Sequence, residues 1–257
     1  MLPSEIDLSQ RQLFSVARRY QLDRRLQRAR NARADAMVNR RTRDWAATVE
    51  VPPLRLKGSL GLPPGHASGL ILFAHGSGSS RFSPRNTYVA SALRQAGLAT
   101  LLFDLLSESE AQHRTNVFDI VLLADRLLTA TAWAQTSAMT RSLPLGYFGA
   151  STGSAAALIA AARLGAQIGA VVSRGGRPDL ARDALPLVSA PTLLIVGGKD
   201  TEVLALNQAA LRAMRCEGMI QVVPGATHLF EEPGALEAVV ELAHGWFLDH
   251  LAAHEQA

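Results

Sequence analysis

The sequence predicts an α/β protein built on a single doubly wound, mostly parallel sheet. Two observations lead there. Six short apolar runs, each ending in small or polar residues, alternate with longer stretches of helical character, the pattern of βαβ units whose strands are buried on both faces. With 257 residues, 48% of them apolar and 19% charged, the chain has ample material for one large core.

The elements follow in order. Residues 1–45 carry eleven arginines against five acids, while the other 212 residues are slightly acidic, so the net charge of +4 arises entirely at the N-terminus. Good helix formers fill residues 9–45, and Leu13, Ala17, Tyr20, Leu22, Leu26 and Ala29 give only a thin apolar stripe. Such a helix can dock on a surface, including that of a second subunit, but builds no core of its own. A nucleic-acid arm is the competing reading, since arginine clusters bind phosphate irrespective of sequence. No aromatic interleaving or DNA-binding motif supports it. Residues 1–45 are therefore a basic helical extension, and residues 46–257 the main domain.

Residues 48–61 read as an antiparallel strand pair broken at Pro52 and Pro53. The parallel strands fall at 69–75, 98–106, 143–150, 168–174, 191–198 and 218–223. Helices are expected at 84–96, 117–135, 152–164, 202–215 and 233–252. No apolar run approaches the roughly eighteen residues of a membrane span, and residues 1–30 lack the apolar stretch of a signal peptide. A soluble, cytoplasmic protein is the expectation. The single cysteine, Cys216, rules out an internal disulfide and a cysteine-rich zinc site. It is expected late in a helix, far from any strand end.

In open α/β sheets ligands bind beyond the carboxyl ends of the strands, so the residues just after each run carry the chemistry. Gly149-Ala150-Ser151-Thr152-Gly153 matches G-x-S-x-G, in which a serine sits on a sharp strand-to-helix turn with its hydroxyl exposed. Five residues alone are weak evidence. The apolar LPLGYF before them and the alanine-rich SAAALIAAARL after them supply the strand and helix the motif requires. A serine hydroxyl needs a base, and the base needs a third group to orient it. Asp200 follows the strand TLLIVGGK, and His228 follows the last strand in QVVPGAT. That is the Ser, Asp, His order of this topology. Backbone amides must also receive the oxyanion of a tetrahedral intermediate. Thr152, after the nucleophile, and Ser77, in the loop His75-Gly76-Ser77-Gly78-Ser79-Ser80, are the expected donors. His75 itself is read as a brace for that loop rather than as a catalyst.

FAHGSGSS, YFGASTGSAA, LIVGGKD and PGATHLF together resemble the α/β-hydrolase superfamily, in particular its small dienelactone-hydrolase-like branch, over about residues 49–252. Dienelactone hydrolases use a cysteine nucleophile, whereas this sequence has Ser151. The resemblance implies an α/β-hydrolase fold and a serine esterase of small to medium acyl groups, with Ser151, Asp200 and His228 as triad. It implies no cofactor and no metal. An acyltransferase or thioesterase with the same triad is the alternative, and a scaffold using the arginine-rich segment is a third reading. The interval of about residues 175–190 leaves room for a loop and one short helix, so no large lid is expected.

The expected partner is a small-molecule ester. Arg81, Arg85, Arg174 and Arg177 lie near strand ends and are candidates to bind an anionic group on it. Their competing role is structural pairing with Glu108, Glu110, Asp179 or Asp183. Glu108 and Glu110 are read as solvated loop charge.

Overall fold

A computed structural model of the chain describes residues 46–251. The helical extension expected over residues 9–45 lies outside them. The eight strands are β1 (Ala46–Val51), β2 (Leu56–Gly61), β3 (Leu70–Ala74), β4 (Ala99–Phe103), β5 (Leu145–Ala150), β6 (Ile168–Arg174), β7 (Thr192–Gly197) and β8 (Gly218–Val223). They form one sheet in the order β1-β2-β4-β3-β5-β6-β7-β8. Only the pairings of β1 with β2 and β2 with β4 are antiparallel. The strand pair at 48–61 and the six parallel strands read from the sequence are all present.

Helices α1 (Pro84–Gln95), α2 (Glu108–Ala111), α3 (Arg114–Val117), α4 (Ile120–Thr136), α5 (Thr152–Leu164), α6 (Thr201–Ala213) and α7 (Ala235–Leu251) connect the strands. Local chemistry sets their starts. Ser83 caps α1 by accepting from the Asn86 amide, with Pro84 in the first turn. Asp119 caps α4 through the Leu122 amide at 2.9 Å. Alternation along the strands divides the core into two layers. Leu70, Leu72 and Ala74 of β3 join one, with the buried faces of α4 and α5. Ile71 and Phe73 point the other way and pack with α1 and α7. Continuous apolar strands result, because neither face sees water.

Three sequence expectations are corrected. Cys216 lies beyond the end of α6, half-buried in the loop before β8. The segment SESEAQHRTN is helical in two short pieces, the first opened by a capping box in which Ser107 and Glu110 bond each other's backbone amides. Glu110 also pairs with Arg126, so its charge is structural rather than solvated. Between β6 and β7, where the sequence leaves room for a loop and one short helix, stands the 3₁₀ segment Pro178–Leu187.

Candidate active site

The register of the central strands brings the site together. Ala74 lies opposite Gly149, and Ala150 opposite Arg174. The ends of β3, β5 and β6 are thus flush, and the residues after them share one rim.

Ser151 stands at the turn from β5 into α5 with φ 51° and ψ −122°. A side chain in that region costs on the order of 1–3 kcal/mol and persists only where its surroundings enforce it. Here they do: the Ser151 amide donates to the Arg174 carbonyl at 3.2 Å, and the Arg177 amide donates to the Ser151 carbonyl at 3.1 Å. The flanking glycines are demanded by contact. A Cβ on Gly153 would lie 2.2 Å from the Ala74 carbonyl oxygen and 2.5 Å from that of His75. One on Gly149 would lie 2.4 Å from the Ser154 Cα. Backbone meets backbone at both positions, so nothing can swing aside. Gly153→Ala is expected to destabilise the protein by about 3 kcal/mol or more, read as a fall of roughly 6–12 °C in Tm.

Asp200 precedes α6, its amide bonded to the Gly197 carbonyl at 3.0 Å. His228 sits in the loop after β8. That loop is pinned to the β7 end by the Lys199 amide on the Ala226 carbonyl at 2.9 Å, and is braced internally by the Thr227 amide on Glu232 Oε1 at 3.0 Å. The two side chains meet: His228 Nδ1 is 2.7 Å from Asp200 Oδ2. With Nδ1–H donating to the carboxylate, Nε2 is left as a free acceptor. Ser151 and His228 line one pocket of about 210 Å³, together with Gly76, Ser77, Arg85 and Arg174 among others. They face it without a direct hydrogen bond between them, a contact that in such sites commonly tightens only around substrate.

His75 is half-buried, and its hydrogen bonds fix its tautomer. The Leu105 amide can only donate, so Nε2, at 3.1 Å, accepts. Nδ1 then carries the proton and donates to the Gly76 carbonyl at 3.0 Å. Burial lowers its pKa, which keeps the ring neutral. It braces the loop, as its place at a strand end suggests. Thr152 opens α5, where an amide has no intrahelical acceptor. The Ser77 amide is engaged, donating to Thr152 Oγ1 at 2.8 Å.

The four candidate arginines separate. Arg81 pairs with Asp104, and Arg177 holds Asp179 through Nε and Nη2 at 2.9 and 2.8 Å. Neither lines the pocket that holds Ser151. These two follow the structural reading, although Arg81 takes an acid other than those expected. Arg85 and Arg174 do line that pocket. So does Asn86, which sequence reasoning missed because it lies in the first turn of α1, well past any strand end. Across the loop of residues 76–80 lies a second pocket of about 430 Å³, walled by Leu106, Val117 and Leu123. Among the described residues no three His, Cys, Asp or Glu side chains cluster to hold a metal ion.

No protein-family model matches the sequence. A dienelactone hydrolase of Anabaena variabilis, known by crystal structure, is 56% identical to this chain with a TM-score of 0.76, covering 80% of this chain and 97% of its own. The chain belongs to the dienelactone-hydrolase-like branch of the α/β-hydrolases. Est1E of Butyrivibrio proteoclasticus shares the fold at 17% identity and a TM-score of 0.68, over 80% of this chain and 99% of that one. A Mycobacterium tuberculosis protein named "Putative phosphoribosyl transferase" is 57% identical over 217 residues, 84% of this chain. The hydrolase-like chain spans about half the length of that relative, 49%. No described helix is long and apolar enough to cross a membrane.

Proposed function

We propose that this chain is a serine hydrolase that cleaves carboxylic esters of small to medium acyl groups through an acyl-enzyme. The observation that carries the reading is the 2.7 Å contact of His228 with Asp200, in the pocket into which the Ser151 turn projects. Ser151 Oγ attacks the acyl carbonyl while His228 Nε2 takes its proton. Asp200 holds the imidazole tautomer and stabilises the imidazolium that forms. The carbonyl oxygen becomes an oxyanion facing the Thr152 amide, and the Ser77 amide transfers to it from the Thr152 hydroxyl. His228 then protonates the departing alcohol oxygen. A water, deprotonated by His228, releases the acid and restores Ser151.

Pocket size supports the acyl range, since about 210 Å³ beside the nucleophile suits short groups. The transferase name of the mycobacterial relative belongs to a protein of which this chain matches half.

Turnover of p-nitrophenyl acetate, butyrate and octanoate, with fluorophosphonate labelling located by mass spectrometry, tests the reading. The two short esters are expected to exceed octanoate in kcat/KM by about tenfold, with the label on Ser151. No turnover together with no label on Ser151 would remove the proposal.

A further inference from the structure

Ser151, Asp200 and His228 come from three separate segments of chain, and the turn Gly175-Gly176-Arg177 after β6 runs between them. The Arg177 amide donates to the Ser151 carbonyl at 3.1 Å. Gly175, at φ 52°, donates its amide to the Ile195 carbonyl of β7 at 2.8 Å. A Cβ on Gly175 would lie 3.1 Å from the His228 carbonyl oxygen and 3.6 Å from Cε1 of the His228 ring. The same turn therefore grips the nucleophile and lies against the base. Gly176 is wedged behind them: a Cβ there would lie 2.0 Å from Ser173 Oγ and 2.6 Å from Ser154 Oγ.

Gly176 is buried, and a buried carbonyl without a donor is strongly disfavoured. Asn207 supplies the donor. Its Nδ2 lies 3.0 Å from the Gly176 carbonyl oxygen and 2.7 Å from that of Val203, one turn back on its own helix. Carbonyl oxygens can only accept, so the amide must present its NH₂ to them, and both hydrogens are used. Asn207 is fully buried on α6, the helix that Asp200 opens.

Asparagine is a poor choice for that position on helix grounds alone. It is a weak helix former, and its Oδ1 is enclosed without a partner, which an apolar side chain would avoid. The Val203 carbonyl already has its helical partner in the amide four residues on. Only the bond to Gly176 reaches out of the helix. It ties the segment carrying Asp200 to the turn that grips Ser151 and flanks His228.

We propose that Asn207 is a positioning residue for the triad: by holding the Gly176 carbonyl it fixes the 175–177 turn, and through that turn the placement of Ser151 and His228 relative to Asp200. It does not line the pocket that holds Ser151, so it acts on the alignment of the reacting groups and not on the pocket walls. A misplacement of about 1 Å at reacting groups can lower a rate about a hundredfold. This inference rests on the serine-hydrolase reading for its chemistry, but the dependence of the turn on Asn207 can be measured without turnover.

Asn207→Leu removes the donor at similar volume. Its kcat on p-nitrophenyl butyrate is expected to fall about 10- to 100-fold, with KM within about twofold of wild type. Fluorophosphonate labelling of Ser151 should slow in parallel. Asn207→Thr can still bond the Val203 carbonyl, as helical threonines do, but is too short for Gly176, so its kcat should fall as far. Asn207→Gln keeps the NH₂ and is expected to recover at least about threefold over the leucine variant. Ala210→Gly, buried on the same helix, is the control. It should lower Tm by a few degrees and leave kcat within about twofold of wild type. Amide exchange followed by NMR reads the turn directly. The Arg177 amide should exchange at least about tenfold faster in Asn207→Leu than in Ala210→Gly.

If the wild type turns over no ester and Ser151 is not labelled, the hydrolase reading fails, while faster Arg177 exchange in Asn207→Leu still upholds the clasp on the turn. With an active wild type, the positioning role is overturned by a folded Asn207→Leu that keeps full kcat. An equal loss of kcat in Ala210→Gly overturns it too, as does Arg177 exchange no faster than in that control. Should Asn207→Leu not fold, Asn207→Thr carries the same comparisons.

Discussion

Ser151→Ala is expected to lower kcat on p-nitrophenyl butyrate by a factor on the order of 10⁵–10⁶ and to abolish fluorophosphonate labelling. The residue leaves the oxyanion donors and the pocket in place, so a residual rate above that of water should survive. Stability separates the chemical effect from a folding effect. Alanine inherits the φ of 51° that serine adopts, and the bonds from the residue 151 backbone to Arg174 and Arg177 do not involve the side chain. Tm should therefore stay within a few degrees of wild type. Ser151→Gly should be as inactive but more stable by about 1 kcal/mol, because glycine tolerates this backbone region without steric cost. An alanine variant that retained a tenth of the activity would place the nucleophile elsewhere.

Asp200→Asn is expected to reduce kcat by about 10⁴ with little change in fold. Asp200 Oδ2, 2.7 Å from His228 Nδ1, can only accept while ionised, which places the imidazole proton on Nδ1 and leaves Nε2 basic. An asparagine amide can turn its NH₂ to the ring instead. The proton would then sit on Nε2, facing Ser151, where a base is needed. The effect should fall on kcat for short and long esters alike, since no pocket wall changes. A loss smaller than tenfold would mean that another group orients His228.

Much of the site was legible because its determinants are local. The G-x-S-x-G turn is read within five residues: Gly149 and Gly153 are required where backbone meets backbone, and an apolar strand and alanine-rich helix flank them. Asp200 and His228 each follow a recognisable strand, and in a parallel sheet strand ends gather at one edge whatever the details of packing. The capping box at Ser107 and Glu110 was also present in the sequence, yet the polar run around it concealed two short helices. The first of them is held by its capping box and the Arg126 pair, not by an apolar stripe.

Other features were decided only across the fold. Ser77 meets Thr152 across 75 residues, and Arg85 meets Glu231 across 146. No local pattern tells which arginine finds a carboxylate. Arg81 and Arg177 are alike in the sequence to Arg85 and Arg174, four bases near strand ends in an arginine-rich chain. Folding gave the first two their acids and enclosed Arg174 without one. The sequence by itself determined the sheet, the strand ends and the order of Ser151, Asp200 and His228, because apolar periodicity and turn geometry act over a few residues. Only the tertiary structure decided which charges are neutralised and which remain facing the pocket, because electrostatic pairing depends on distances through space that chain separation does not record.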